Sequence, residues 1–304
     1  NNQPIAHLVD RKQFDAFLVN KAREVGVTVI ENAFVRDYET DSTGVVVRTD
    51  NEEWYGQYLV GADGAYSKVA RKMGFKPDGI ALTLEADLPN ELMESSKHIR
   101  EGELLVDYGI VPNGYAWAFP NRDVVAIGIG DFTGRVTGMR LRSLLGEWMN
   151  YLGVEPDAWH SYVRGWIIPY KSRVSVLHGK REILIGDAAG LTDAFIGEGL
   201  YAAFLSARVA AEVLTNIVTD VECNLADYTD QVTRVLGEHV ANAYRLNRLF
   251  YPLSGLAHGI IRKHPEWHDI VPQIASGALS YAELIKIGAE KLHIPFVGNL
   301  VSRA

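Results

Sequence analysis

The chain has 304 residues, of which 47% are hydrophobic and 22% are charged, and this composition excludes a disordered or fibrous protein. Single hydrophobic cores rarely exceed about 250–300 residues, so the length predicts two domains or one domain with a large insertion. A formal net charge of −8 argues against nucleic-acid binding. The single cysteine, Cys223, excludes a disulfide framework and a thiolate metal cluster.

The first quarter of the chain reads as a helix followed by short strands. Residues 11–25 place apolar side chains on one helical stripe, and Gly26 ends that helix. A turn at residues 41–44 joins a hairpin, and Ser67 is a good N-cap for a second helix that ends at Gly74. The strands predicted here are residues 27–30, 33–38, 45–49 and 58–61.

After Pro77 the pattern changes to short strands separated by turn residues, which is typical of an antiparallel sheet. Residues 141–152 are amphipathic and predict a helix, and residues 198–218 predict a long apolar helix. Arg208 and Glu212 interrupt this second run, so we expect no membrane-spanning helix. The strands predicted in this part are residues 80–88, 103–108, 115–119, 124–130, 165–169 and 183–185.

The order of these elements predicts an α/β (α+β) fold in which a sheet domain is inserted into a discontinuous α/β domain. The α/β domain comprises residues 1–76 and 170–219, and the inserted antiparallel sheet comprises residues 77–169. Residues 220–304 form a mostly helical C-terminal region.

Residues 183–211 form the segment most informative about chemistry. A hydrophobic strand runs into the sequence GDAAG, in which Asp187 follows the strand, and Gly197 and Gly199 bracket the start of the long helix. Small residues let a flat or phosphorylated ligand approach the main chain, and a helix N-terminus offers N–H groups and a positive dipole to an anion. An ordinary strand–loop–helix connection does not explain so many small residues around one aspartate.

A second segment, residues 59–74, repeats the arrangement. A strand ends in a glycine, and Asp63 and Gly64 form a tight turn before a helix. Such a turn is common, so the segment is informative only because it accompanies the first one.

Together these motifs resemble those of the flavoproteins that include the geranylgeranyl reductases and the related aromatic-ring hydroxylases. Residues 114–120 (GYAWAFP) are similar to the Tyr-x-Trp-x-Phe-Pro motif of the geranylgeranyl reductases, and Arg11, Phe14 and Asp15 are similar to the Arg-x-x-Phe-Asp opening of that family. The resemblance covers most of residues 9–215 and, more loosely, the tail, where residues 277–283 (GALSYAE) fit the same pattern. It implies FAD as the cofactor, an FAD-binding Rossmann-like domain and a substrate-binding sheet.

The resemblance also implies roles for individual residues. Asp187 would accept a hydrogen bond from a ribityl hydroxyl of FAD, and the turn from Gly197 to Gly199 would place the helix N-terminus beside the flavin N1–C2=O edge. Glu198 is equally compatible with a simple first-turn helix acid, Asp63 with a turn former and Arg11 with a surface position. The predicted cofactor site comprises Arg11, Asp63, Gly64, Gly186, Asp187, Ala188, Ala189, Gly190, Gly197, Glu198 and Gly199.

Tyr115, Trp117 and Phe119 alternate along a predicted strand and therefore share one face. Periodicity alone favours an ordinary sheet core, whereas the resemblance implies a substrate channel for a long apolar chain over the flavin. The nine histidines show no metal-ligand spacing, so we expect no metal site.

The implied activity is an FAD-dependent reduction of C=C bonds in a prenyl chain carried by a lipid, a quinone or a chlorophyll precursor. The alternatives are an aromatic monooxygenase and a non-catalytic or electron-transfer flavoprotein. The expected partners are a prenylated, lipid-like substrate and a reductant such as NAD(P)H or ferredoxin, with no nucleic acid.

The family's N-terminal GxGxxG loop is absent from the sequence. We therefore expect a fragment of a longer chain that binds FAD weakly as given. We expect a cytoplasmic protein. Residues 244–263, a basic amphipathic stretch, would provide peripheral membrane contact if they do not pack on their own domain.

Overall fold

The computed structural model describes residues 8–94, 96–219, 222–254, 273 and 279–291. The first element is helix α1 (Arg11–Glu24), whose first turn is capped by Asp10. Its predicted apolar stripe is not covered by the described residues, since the side chain of Phe17 is 54% exposed. Phe14 packs edge-on against Phe204, with ring centroids 6.1 Å apart.

A small antiparallel sheet follows, made of β1 (Asp37–Thr40), β2 (Val45–Arg48) and β3 (Glu53–Gly56). The predicted hairpin is confirmed, although its first strand starts later than expected. The third strand was not predicted, because all four of its residues are exposed and show no alternation of burial. The strand predicted at residues 27–30 is wrong, because this segment pairs with no described strand.

Strand β4 (Leu59–Gly61) leads through a short 3₁₀ turn into helix α2 (Lys68–Lys72). Ser67 caps this helix as predicted, with its hydroxyl oxygen accepting the N–H of Ala70 at 2.8 Å.

The largest sheet has five antiparallel strands in the order β6-β7-β8-β5-β9. Helix α3 (Gly138–Tyr151) packs on one face, where Ala116, Ala118 and Trp148 are buried together. The sheet comprises β5 (Gly79–Pro89), β6 (Leu105–Asp107), β7 (Gly114–Pro120), β8 (Val124–Asp131) and β9 (Val163–Tyr170). Each of these strands was predicted, because each alternates or runs apolar between turn residues.

The chain then returns to β4. Strand β10 (Glu182–Leu184) pairs with β4 in parallel, with Leu59 opposite Glu182 and Gly61 opposite Leu184. Because parallel strands end at the same edge, the loops after β4 and β10 lie side by side. Helix α4 (Leu200–Val218) follows the loop after β10.

Two further helices complete the described chain, α5 (Leu225–Phe250) and α6 (Tyr281–Lys291). Asn224 and Asp227 form a reciprocal capping box at the start of α5. Only residues 244–254 of the predicted basic amphipathic stretch are described, and residues 255–263 lie outside the described part. Of the GALSYAE motif, Gly277 and Ala278 also lie outside it.

Helix α4 is the one helix of the described part that is long and apolar enough to cross a membrane. Core helices of globular proteins are also this long and this apolar. Ala202, Val209 and Val213 of α4 are buried in the core that α4 shares with α5 and β10.

Three buried clusters hold the described part of the chain together. One lies around β4, β10, α4 and α5, and a second lies between the large sheet and α3. A third, rich in aromatic residues, joins the large sheet to the loop before α4 and to α5 and α6. The predicted α/β (α+β) fold with an intervening antiparallel sheet is confirmed, while the domain boundaries at residues 76/77, 169/170 and 219/220 stay predictions.

Candidate cofactor and substrate site

The loop after β4 is organised by Asp63. Its carboxylate accepts the hydroxyl of Ser67 at 2.5 Å and the N–H groups of Lys68 and Val69 at 2.7 and 3.3 Å. The geometry gives Asp63 a clear role in the turn, and its direct contact with a cofactor stays a prediction. Gly64 has φ +70°, a conformation that favours glycine, and its Cα faces open space.

The loop after β10 is drawn tightly onto helix α4. The N–H of Gly186 donates to Ser206 Oγ at 3.1 Å, and a Cβ at Gly186 would lie 3.2 Å from Ala203 Cβ. Ala188 and Ala189 are buried in the core, so only their backbone atoms remain for the predicted cofactor contact. Gly190 ends the loop in the left-handed conformation with φ +60°.

Asp187 sits half-buried at the edge where both parallel strands end. Thr192 donates its hydroxyl to Asp187 Oδ1 at 2.7 Å, and a Cβ at Gly199 would lie 3.2 Å from the same oxygen. The carboxylate therefore faces the bare backbone at the start of α4. The structure records no partner for Asp187 Oδ2 among the described residues.

Helix α1 approaches this edge through Arg11. Its guanidinium forms two hydrogen bonds with Asp15, both 3.0 Å long. The pKa of Arg11 is raised, chiefly by this hydrogen bond to Asp15 and also by the nearby charge of Asp187. The structure thus brings Arg11 near Asp187, as the predicted cofactor site requires, although Arg11 is itself largely exposed.

The turn before α4 is close-packed and contains a glycine in the left-handed conformation. Gly197 has φ +71°, and a Cβ there would lie 2.8 Å from Phe132 Cε1. The Glu198 carboxylate accepts the N–H of Tyr201 at 3.0 Å, which is the helix-capping role left open by the sequence. Burial raises the pKa of Glu198. Within the described residues, no acceptor is recorded for the N–H groups of Glu198 and Gly199.

Asp193 holds this loop in place through hydrogen bonds, and the sequence did not single it out. The buried carboxylate accepts the N–H groups of Phe195 and Ile196 at 2.7 and 2.9 Å. It also accepts the hydroxyl of Tyr281 at 2.6 Å and lies 2.9 Å from His239 Nε2. The available signal in the sequence was a single carboxylate, Asp193, within the mostly apolar segment LTDAFI. Its side-chain partners, His239 and Tyr281, are nearly 50 and 90 positions further along the chain, so no local pattern connects them.

The aromatic side chains of β7 share a face, as predicted. Ring centroids are 5.6 Å apart between Tyr115 and Trp117, and 6.4 Å apart between Trp117 and Phe119. The alternating residues Ala116 and Ala118 enter the core beneath α3. The three aromatic rings therefore lie on the opposite face of the sheet from the α3 core.

This aromatic face is continuous with the loop before α4. The Tyr115 hydroxyl donates to the carbonyl of Ile196, and the Tyr115 ring stacks on Phe132 with centroids 5.0 Å apart. Phe132 in turn contacts the Gly197 turn described above. The predicted substrate residues and the predicted cofactor loop thus meet.

Two exposed aromatic residues that the sequence did not single out lie beside this region. Tyr66, in the loop after β4, is 58% exposed, and Trp166 of β9 is 56% exposed. Their rings meet edge-to-face with centroids 5.5 Å apart. Trp166 is in register with Thr83 of β5, and Thr83 is in register with Gly130 of β8. Because Gly130 is in turn in register with Tyr115 of β7, Trp166 and Tyr115 lie in one row across the same face of the sheet.

Comparison with known proteins supports the resemblance to these flavoproteins. The FAD binding domain family matches residues 2–113. The digeranylgeranylglycerophospholipid reductase of Methanosphaerula palustris is 29% identical over 279 residues, which cover 84% of this chain and 67% of that protein. The chain is similar to the FAD-dependent flavoproteins that include the geranylgeranyl reductases. The predicted family and cofactor are confirmed.

Solved structures agree on the fold. A geranylgeranyl bacteriochlorophyll reductase-like protein from Thermoplasma acidophilum superimposes with a TM-score of 0.74 at 19% identity, covering 98% of this chain and 77% of that one. The anhydrotetracycline hydroxylase OxyS from Streptomyces rimosus gives 0.60 at 20% identity, covering 89% and 57%. This flavoprotein chain spans between 46% and 67% of the length of the curated relatives compared.

The residues present fit FAD. The carboxylate of Asp187 is a suitable acceptor for sugar-chain hydroxyl groups, and its Oδ2 is available. A side chain at Gly199 would close the space beside this carboxylate. The N–H groups of Glu198 and Gly199, at the start of α4, suit an electron-rich edge of the flavin.

Proposed function

We propose that this flavoprotein is a reductase that saturates isolated C=C bonds of a prenyl chain. The observation that supports it is the aromatic face of β7, which points away from the α3 core and reaches the cofactor loop through Tyr115 and Ile196. A row of large apolar rings beside a flavin suits a long hydrocarbon substrate. The named reductase relatives support the same assignment.

In this proposal the chain's own residues mainly bind and orient. Asp187 and the N-terminus of α4 hold FAD, which when bound and reduced supplies a hydride. Tyr115, Trp117 and Phe119 align the prenyl chain and exclude water. Because an isolated alkene is not polarised, alignment and exclusion of water must contribute much of the rate enhancement.

The reaction needs a prenylated, lipid-like substrate and an external reductant, and we propose NAD(P)H or a ferredoxin-like carrier for the latter. The test is product analysis by mass spectrometry. The complete protein with FAD is incubated without oxygen with a reductant and a geranylgeranyl compound. The product should gain one H₂ for each double bond reduced, and free FAD with the same reductant is the control.

An unchanged prenyl compound, together with oxygen insertion into an aromatic acid under air, would replace this proposal by the hydroxylase alternative. An unchanged prenyl compound with no oxygen insertion would favour the electron-transfer alternative.

A further inference from the structure

A carboxyl group on a neighbouring strand lies at the edge of the aromatic face. Glu85 of β5 is in register with Gly128 of β8, and Gly128 is in register with Trp117 of β7. The Nε1–H of Trp117 donates to Glu85 Oε2 at 3.2 Å. Glu85 therefore belongs to the same face of the sheet as the three aromatic residues.

Gly128 makes this contact possible. A Cβ at this position would lie 2.3 Å from Trp117 Cζ2 and 2.5 Å from Cε2. Without a side chain at Gly128, the indole lies directly against β8 and spans it to reach Glu85. The glycine in the middle of this strand thus has a specific packing reason.

The surroundings of Glu85 raise its pKa above the ordinary glutamate value. Burial among protein atoms raises the pKa of Glu85, and the neighbouring Asp87 raises it further. The hydrogen bond from Trp117 and the charge of Arg164 act in the opposite direction and are weaker. The side chain is also accessible to solvent, so it can regain a proton from water.

Among the described residues, only one oxygen of this carboxyl has a recorded partner. Trp117 orients Oε2, and the described residues provide no recorded partner for Oε1. A protonated Oε1 can therefore donate towards a molecule lying on the aromatic face. General acids are effective when they are held in this way within reach of the atom to be protonated.

We propose that Glu85 donates the proton that completes reduction of the C=C bond, an inference that rests on the proposed reductase function. One alkene carbon receives the hydride supplied by reduced FAD. The π bond breaks, and its electron pair forms a C–H bond with the proton released from the Glu85 carboxyl. The O–H bond breaks, the carboxylate remains, and a proton from water restores the acid.

The first test is independent of turnover. In the FAD-loaded protein with ¹³C-labelled glutamate carboxyls, the resonance lost in Glu85→Gln should titrate above the ordinary glutamate pKa of about 4.3. In Asp87→Asn, which removes a neighbouring negative charge, the midpoint should fall. A midpoint at or below the ordinary value in the unsubstituted protein would overturn the proposal.

The second test measures a single anaerobic turnover with pre-reduced enzyme. Glu85→Gln should slow C=C reduction by about 100-fold or more, while FAD content and dithionite reduction of the flavin stay unchanged. Glu85→Asp should recover part of the rate, because it restores an acid on a shorter side chain. Since the acid must be protonated, the rate should fall as pH rises through its pKa, and Asp87→Asn should move this fall to lower pH.

The possible outcomes separate this inference from the function on which it rests. If the unsubstituted enzyme reduces the prenyl compound and Glu85→Gln does so within about twofold, proton donation by Glu85 is wrong and the reductase function stands. If Glu85→Asp recovers nothing, proton donation is also wrong. If the unsubstituted enzyme reduces no C=C bond, both proposals fail.

Discussion

Asp63 and Asp187 occupy equivalent positions after two parallel strands, yet their carboxylates have different partners. Asp63 is saturated by three donors from the turn that follows it. Asp187 accepts one hydroxyl, from Thr192, and has a second oxygen with no recorded partner in the described part of the chain. Of the two, Asp187 is therefore the carboxylate available for a ligand.

Replacing Asp187 by alanine should weaken FAD binding about 10- to 100-fold, because a hydrogen bond to a charged group contributes about 1.5–3 kcal/mol. The measurement is a fluorescence titration of the apoprotein with FAD. Asp41→Ala is the matched control, since Asp41 is an exposed turn aspartate in the β1–β2 hairpin. Unchanged FAD affinity with a sharp loss of thermal stability would mean that Asp187 only holds its turn.

The glycine at position 197 provides a second residue-scale prediction. Alanine there must adopt φ +71° and also place Cβ 2.8 Å from the Phe132 ring. Gly74 has φ +73° with nothing within 4 Å, so Gly74→Ala is a control for the backbone cost alone, about 1–2 kcal/mol. Urea unfolding should show a larger loss for Gly197→Ala than for Gly74→Ala. Equal losses would show that the contact with Phe132 does not constrain the turn.

At the scale of an element, strand β7 shows what the alternation of residue types predicts and what it leaves open. Alternation placed Tyr115, Trp117 and Phe119 on one face, but it could not decide whether that face was the sheet core. The structure shows that the second face of the same strand, with Ala116 and Ala118, is the one that packs beneath α3. The opposite face is also largely covered, since Trp117 is only 8% exposed and Tyr115 packs against the aromatic-rich cluster, so the substrate channel stays a prediction.

Trp117→Phe should reduce prenyl turnover while FAD content stays near normal. Phenylalanine keeps an apolar ring on β7 but removes the Nε1–H that Glu85 accepts. The measurement is single-turnover rate together with the flavin-to-protein absorbance ratio. Loss of flavin, or unfolding, would show that Trp117 holds the sheet together rather than serving the substrate.

The loop before α4 depends on α6, an element far away in sequence. Tyr281→Phe should lower the free energy of unfolding by about 1.5–3 kcal/mol, since it removes a 2.6 Å hydrogen bond to the buried carboxylate of Asp193. Chemical denaturation measures the change. Tyr151→Phe, on an exposed side chain of α3, is the control and should have little effect. Equal stability of the two variants would contradict an anchoring role for Tyr281.

At the scale of the whole molecule, the sequence predicted most of the strands and the order of elements, because each is bounded by turn residues and has a regular pattern. It predicted the strand–GDAAG–helix and GADG loops for the same reason. It did not predict the Asp193–Tyr281 contact, the Tyr66–Trp166 pair or Glu85 beside Trp117. Those arise from strand register and helix docking, which connect positions that no local pattern relates.

The junction between the sheet and the helices is where the site forms. Buried Asn247 of α5 donates to the carbonyls of Phe132 and Ala194 at 2.8 and 2.7 Å, joining the end of β8 to the loop before α4. Helix α5 thus holds the predicted substrate face and the predicted cofactor loop together. The proposed activity depends on this arrangement, in which a hydrocarbon on β7 lies beside the flavin.

The most direct measurement is the fate of reduced flavin in the absence of oxygen. The complete FAD-loaded protein is reduced, freed of excess reductant and mixed anaerobically with a geranylgeranyl compound while the flavin absorbance is followed. The proposed function predicts reoxidation of the flavin, with one C=C bond saturated for each flavin oxidised. Flavin that stays reduced until oxygen is admitted, with the prenyl chain unchanged, would contradict it.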